Sequence, residues 1–143
     1  EEIKYGAQLH DIGKIQVPDA VLLKEGRLTD EEYAVMKQHP VTSMKLVDHI
    51  AFFHSIKGLF LHHHERYDGS GYPDGIGGVD IEIGARIIAV ADAFDAMTSN
   101  RPYRRAMSQA QAIQALESER GRQFDPLCVE AFLDYAAGGL HPR

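Results

Sequence analysis

The chain has 143 residues, enough for one domain with a buried core. Its formal net charge of −6 argues against a binder of polymeric nucleic acid, which would carry a broad basic patch. The single cysteine, Cys128, rules out an intrachain disulfide and a cysteine-based zinc site, and no apolar run approaches the ~18 residues of a membrane-spanning helix.

In chain order, residues 1–13 (EEIKYGAQLHDIG) are already helix-like and lack an N-cap, as though the domain is entered partway with helices upstream. A long loop is expected over about 12–28. Thr29 with Glu32 makes a capping box, so a helix opens near Asp30. Pro40 can open a helix, so 29–50 reads as two helices broken at His39. Residues 50–65 read as a further helix, and a second long loop covers about 66–82. The stretch 83–99 is apolar and alanine-rich, which predicts a central helix. Ser108 with Gln111 opens another helix, running to about Arg120. Asp125 and Pro126 read as N-cap and first helical residue, with Gly138 and Gly139 as the stop. Strand alternation is absent. The expectation is an all-α bundle of five to seven helices with two long functional loops.

The chemistry is concentrated in histidine and aspartate. Eight histidines is a high count, and three are adjacent at 62–64. Imidazoles supply neutral nitrogen ligands, and a carboxylate can bridge two cations. The set His10, Asp11, His39, His63, His64 and Asp92 supplies four nitrogens and two carboxylates, leaving positions open for water and substrate. Residues alone do not decide which two of His62, His63 and His64 would bind. A single histidine such as His39 is more often a helix-end or surface residue. Asp92 is different, because a carboxylate inside ARIIAVADAFDAM is costly to bury without a partner. Asp95, three residues on, shares its helix face. Lys14 follows His10 by four and would share its face if the helix continued, placing an ammonium beside the cations. Otherwise Lys14 is a solvated lysine. His49, His54 and His141 have no such context and read as surface residues.

The motifs HDIGK at 10–14, KQHP at 37–40, HHERYDGSGYPDG at 63–75, ARIIAVADAFDAMTSNRPYR at 85–104 and GRQFDP at 121–126 together resemble the HD-GYP family of HD-domain phosphohydrolases. The resemblance covers nearly the whole chain in order. It implies one HD-GYP domain over 1–143 without its N-terminal helices, and a receiver or sensory domain upstream. The implied function is hydrolysis of cyclic di-GMP to pGpG, and onward to GMP, by a metal-bridging hydroxide attacking the phosphodiester. The implied cofactors are two or three divalent ions, iron or manganese, held by His10, Asp11, His39, His63, His64 and Asp92. Lys14 and Asp95 match catalytic positions. Gly71, Tyr72 and Pro73 of the GYP triplet, with Arg101 and Arg104, match substrate-binding positions. The resemblance also implies a bacterial cytoplasmic protein and allows a homodimer. Three alternatives stand beside this reading. One is a catalytically weak cyclic di-GMP sensor or protein-docking module. Another is a phosphohydrolase for a different cyclic dinucleotide. The third, a di-iron oxygen-activating bundle, ranks low because no Glu-x-x-His pair is present.

Overall fold

The computed structural model describes residues 1–100 and 105–138. Helices α1 (Glu2–Leu9), α2 (Asp19–Leu22), α3 (Asp30–Met36), α4 (His39–Val47), α5 (Lys57–Leu61), α6 (Ile83–Thr98), α7 (Gln109–Ser118) and α8 (Pro126–Ala137) are joined by 3₁₀ turns at Ile12–Gln16, Ala51–Ile56 and Gly78–Asp80. The described residues contain no strand, so the all-α expectation holds. Six helices, all but α2 and α5, run seven residues or longer.

The helix starts follow from local chemistry. The Thr29 hydroxyl accepts the Glu32 N–H while the Glu32 carboxylate accepts the Thr29 N–H, and Ser108 and Gln111 repeat the arrangement. The Asp125 carboxylate accepts the N–H groups of Leu127 and Cys128, with Pro126 following as the first helical residue. Gly138 ends α8, while Gly139 lies outside the described residues.

Two boundaries depart from expectation. The break in 29–50 falls at Lys37 and Gln38, so His39 is the first residue of α4 rather than the interruption. Residues 50–65 are not one helix. They form a 3₁₀ turn and the five-residue α5, which stops at Leu61. Ile56, Leu59 and Phe60 satisfy the core within that short span, and His62, His63 and His64 leave the helix to face elsewhere. The loop over 12–28 itself holds α2 and a 3₁₀ turn.

Helix α6 serves both halves of the core. Its Ile88 packs with Val47, Ile56, Leu59 and Phe60, and its Val90 packs with Leu116, Phe124, Cys128 and Val129. A helix that is apolar on several faces belongs in the centre of a bundle, which accounts for the composition of 83–99. No helix among the described residues is long and apolar enough to cross a membrane.

Candidate metal centre

The site is built at helix ends. The Nδ1 atoms of His10, His39 and His63 lie 2.8, 2.8 and 3.0 Å from the carbonyls of Ala7, Met36 and Phe60, each three residues earlier. Those carbonyls sit in the last turns of α1, α3 and α5, where the helix supplies no N–H partner. Each Nδ1–H donates to one of them. The proton is thereby placed on Nδ1, and each Nε2 presents its lone pair away from the helix.

These lone pairs converge. His39 Nε2 lies 3.4 Å from His63 Nε2, 3.2 Å from His64 Nε2 and 3.2 Å from Asp11 Oδ1. One ligand atom from each of Asp11, His39, His63 and His64 falls within 4.8 Å of all the others. His10 Nε2 extends the group, 3.5 Å from Asp11 Oδ2 and 3.6 Å from Asp92 Oδ1. His10 Nε2 and Asp11 Oδ1 are buried and have no hydrogen-bond partner. Lone pairs facing one another with no proton between them repel, and a cation in their midst removes that cost. The donor set, mixed imidazole and carboxylate, suits a divalent ion, so these residues fit the implied metals.

The electrostatics favour neutral rings at His63 and His64. Burial, then the neighbouring His64, His10 and His39, push the His63 imidazole well below its ordinary value. Burial and then His39 push His64 down to about 4, so both rings are neutral ligands at neutral pH. Burial acts to raise the Asp11 carboxyl, but the adjacent His39 and the Lys14 ammonium outweigh it and hold Asp11 far below the usual carboxylate range. The neighbouring His10 imidazole lowers Asp92. Burial acts to lower His10, but Asp92 and Asp11 more than offset it, and its value is raised.

The close approach of the HDIG turn to α4 places Asp11. A Cβ on Gly13 would lie 2.2 Å from the His39 carbonyl oxygen and 2.5 Å from Ser43 N, so only glycine fits. The fully buried Ser43 hydroxyl accepts the Gly13 N–H at 2.8 Å and donates to the His10 carbonyl at 2.6 Å. Ser43 had no signal in the sequence, because its partners lie 30 and 33 residues away.

Lys14 does not continue α1, which ends at Leu9. It belongs to the following 3₁₀ turn, and its ammonium reaches the centre through Asp11 Oδ2 at 2.5 Å. Asp92 and Asp95, both on α6, line a hollow of about 450 Å³ with Lys4, Gln8 and His10. A second hollow of about 290 Å³ opens beside His39 and His64, lined by Lys14, Lys24, Leu22, Met36 and Tyr72. The Tyr72 ring stacks on His64 with centroids 5.0 Å apart and 22° between planes, and Tyr72 N–H donates to the His64 carbonyl at 3.3 Å. Gly71 precedes it against the His64–Arg66 backbone, and Pro73 follows through a cis peptide bond. Arg101 and Arg104 lie outside the described residues. His62 faces away from the cluster and pairs with Asp74 at 3.0 Å, while His49 and His54 are exposed. Sequence reading also missed Lys37, whose ammonium lies 5.0 Å from the Tyr33 ring and 6.0 Å from the Tyr72 ring.

Comparison with known proteins identifies the family. The family described as HD domain matches residues 1–127. The chain is 51% identical over 133 residues to the cyclic di-GMP phosphodiesterase response regulator RpfG of Xanthomonas campestris pv. campestris, covering 92% of this chain and 35% of that protein. It is 46% identical over 134 residues to a cyclic di-GMP phosphodiesterase of Thermotoga maritima, covering 92% and 36%. A 3′3′-cGAMP-specific phosphodiesterase of Vibrio cholerae (number 2) is 37% identical over 135 residues, covering 93% and 26%. The crystal structure of a cyclic GMP-AMP phosphodiesterase from V. cholerae superposes with a TM-score of 0.70 at 16% identity, covering 96% of this chain and 38% of that one, a likeness of fold. The chain thus spans about a third of the length of the curated relatives named first.

Proposed function

Because the chain belongs to the HD domain family and carries its HD-GYP motifs, we propose that residues 1–143 are the hydrolytic domain of a bacterial cyclic di-GMP phosphodiesterase. In this reading further helices and a receiver or sensory domain precede it in a cytoplasmic protein. The observation that carries the reading is the convergence of the Asp11, His39, His63 and His64 ligand atoms within 4.8 Å, beneath a loop whose tyrosine stacks on His64.

His10, Asp11, His39, His63, His64 and Asp92 hold two or three divalent ions, with iron or manganese suiting the donor set. When bound, such ions supply Lewis-acid charge and lower the pKa of water. The chain's own groups do the remainder. Lys14, held by Asp11 at the mouth of the smaller hollow, offers its ammonium to the phosphoryl oxygens. Asp95, beside Asp92 in the larger hollow, accepts the proton of the attacking water. Tyr72 and the backbone of Gly71 and Pro73 position the nucleotide, and Arg101 and Arg104 pair with its phosphates.

The V. cholerae relative named for 3′3′-cGAMP favours a second substrate. The test is to load the protein with iron or manganese, incubate it with cyclic di-GMP and with 3′3′-cGAMP separately, and identify the products. Conversion of cyclic di-GMP to pGpG and GMP is expected. Cleavage of 3′3′-cGAMP alone would reassign the substrate, and tight binding without cleavage would leave a sensor.

A further inference from the structure

The glutamate after the histidine pair has no role in the chemistry above, yet Glu65 is buried, only 4% exposed. A buried carboxylate needs hydrogen-bond donors. Its Oε1 has two, accepting the N–H of Asp74 at 2.6 Å and of Gly75 at 3.0 Å, while its Oε2 is buried without a partner. Both amides belong to the far end of the GYP loop. Three other contacts close the same loop onto the histidine segment. Tyr72 N–H donates to the His64 carbonyl at 3.3 Å. His62 pairs with the Asp74 carboxylate at 3.0 Å. Gly71 lies so close that an added Cβ would be 2.4 Å from Arg66 N, 2.5 Å from Glu65 Cα and 2.6 Å from the His64 carbonyl oxygen.

We infer that Glu65 is the positioning residue that latches the GYP loop to the His63–His64 ligand segment, so that the place of Tyr72 over the centre is set by the backbone of Asp74 and Gly75. The physical reason is economy of reference. Glu65 directly follows a candidate ligand, and its side chain grips the loop that would bind substrate, so ligand and loop share one rigid frame. A charged acceptor holding two amides is about twice as strong as a neutral one, and its burial excludes competing water. Glu65 is not among the clustered ligand residues, so it acts through Tyr72 and His64. His62, the member of the 62–64 run outside the cluster, then serves the same latch from the outside, through Asp74.

This inference rests on the proposed phosphodiesterase reading, and the experiment separates the two. Glu65→Ala, Glu65→Asp and Glu65→Gln are compared with wild type in the metal-loaded protein. Three quantities are read: metal per chain, hydrogen exchange at Asp74 and Gly75, and turnover of cyclic di-GMP against bis(p-nitrophenyl) phosphate, a diester too small to need the loop. In Glu65→Ala, metal per chain is expected to stay at the wild-type level and the two amides to exchange at least tenfold faster. The ratio of kcat/KM for cyclic di-GMP to that for the small diester is expected to fall at least tenfold, mostly through KM. Glu65→Asp, too short to reach both amides, behaves similarly and stands in if Glu65→Ala does not fold. Glu65→Gln keeps the acceptor and restores the ratio to within about threefold, as expected of an acceptor role. Equal loss on both substrates, or lost metal, would make Glu65 part of the centre or of the fold and overturn the latch. If wild type cleaves neither substrate, the proposed function fails. Hydrogen exchange still judges the latch in that case, and undiminished protection in Glu65→Ala overturns it.

Discussion

Two of the polar clusters drawn into the interior of this molecule are finished differently. Arg86 of α6 pairs with Asp125 at the start of α8. Arg86 Nε–H also donates to the Ile81 carbonyl at 2.8 Å, and Asp125 Oδ1 also accepts the Leu127 N–H at 2.6 Å. That set is closed, since the ion pair and the backbone satisfy it. The cluster around Asp11 is open, because His10 Nε2 and Asp11 Oδ1 find no partner and three imidazole nitrogens point at one another. A closed set holds helices together using its own members. An open set is costly until something positive enters it. The difference sets a structural ion pair apart from a candidate metal centre.

That contrast can be broken at several points, beginning with the largest effect. Asp11→Ala or His39→Ala should strip the metal, measured by elemental analysis, and reduce turnover of cyclic di-GMP on the order of a thousandfold. Retained metal and turnover would mean the open set is not the site. Next, Asp125→Ala leaves Arg86 buried and unpaired and removes the α8 cap, which should cost about 3–5 kcal/mol in denaturant unfolding. Metal per folded chain should not change. Metal at a hundred times its dissociation constant should stabilise the wild type by about 2.7 kcal/mol and leave Asp11→Ala unaffected, as read by the shift in unfolding midpoint.

A pH series sharpens the closed side. Burial acts to raise the Asp125 carboxyl, but Arg86 and the α8 amides outweigh it and hold it below its ordinary value. A depressed folded value means its stabilisation is fully present above about pH 4 and drains as pH falls through the folded value. Asp125→Asn should therefore flatten the acid limb of stability below about pH 4, and an unchanged limb would contradict the pairing. The smallest effect is expected at Thr29→Ala, which removes a cap remote from both clusters. It should cost about 1 kcal/mol in thermal unfolding, with metal content and turnover untouched.

Sequence reading performed best where structure is decided locally. The capping boxes at Thr29 and Ser108 and the Asp125–Pro126 start are satisfied within three residues, and each lies where the sequence puts it. It failed at 50–65, where helical periodicity continues but the core needs only Ile56, Leu59 and Phe60. It had the wrong reason for Lys14, which reaches the centre through Asp11 in a 3₁₀ turn and not along an α-helical face. The odd histidine was identifiable only through motif resemblance, and Ser43 and Glu65 were not seen as parts of the site at all.

The sequence by itself determined the helical class, the helix starts and the inventory of imidazoles and carboxylates, because caps, turns and side-chain chemistry act over a few residues. Only the tertiary structure decided which nitrogens share a pocket. His10, His39 and His63 come from three separate helix ends, and their rings are aimed by carbonyls left over where those helices stop. The meeting of His10 and Asp11 with His39 depends on how closely the turn at Gly13 can lie against α4, and that approach is a property of packing between distant segments.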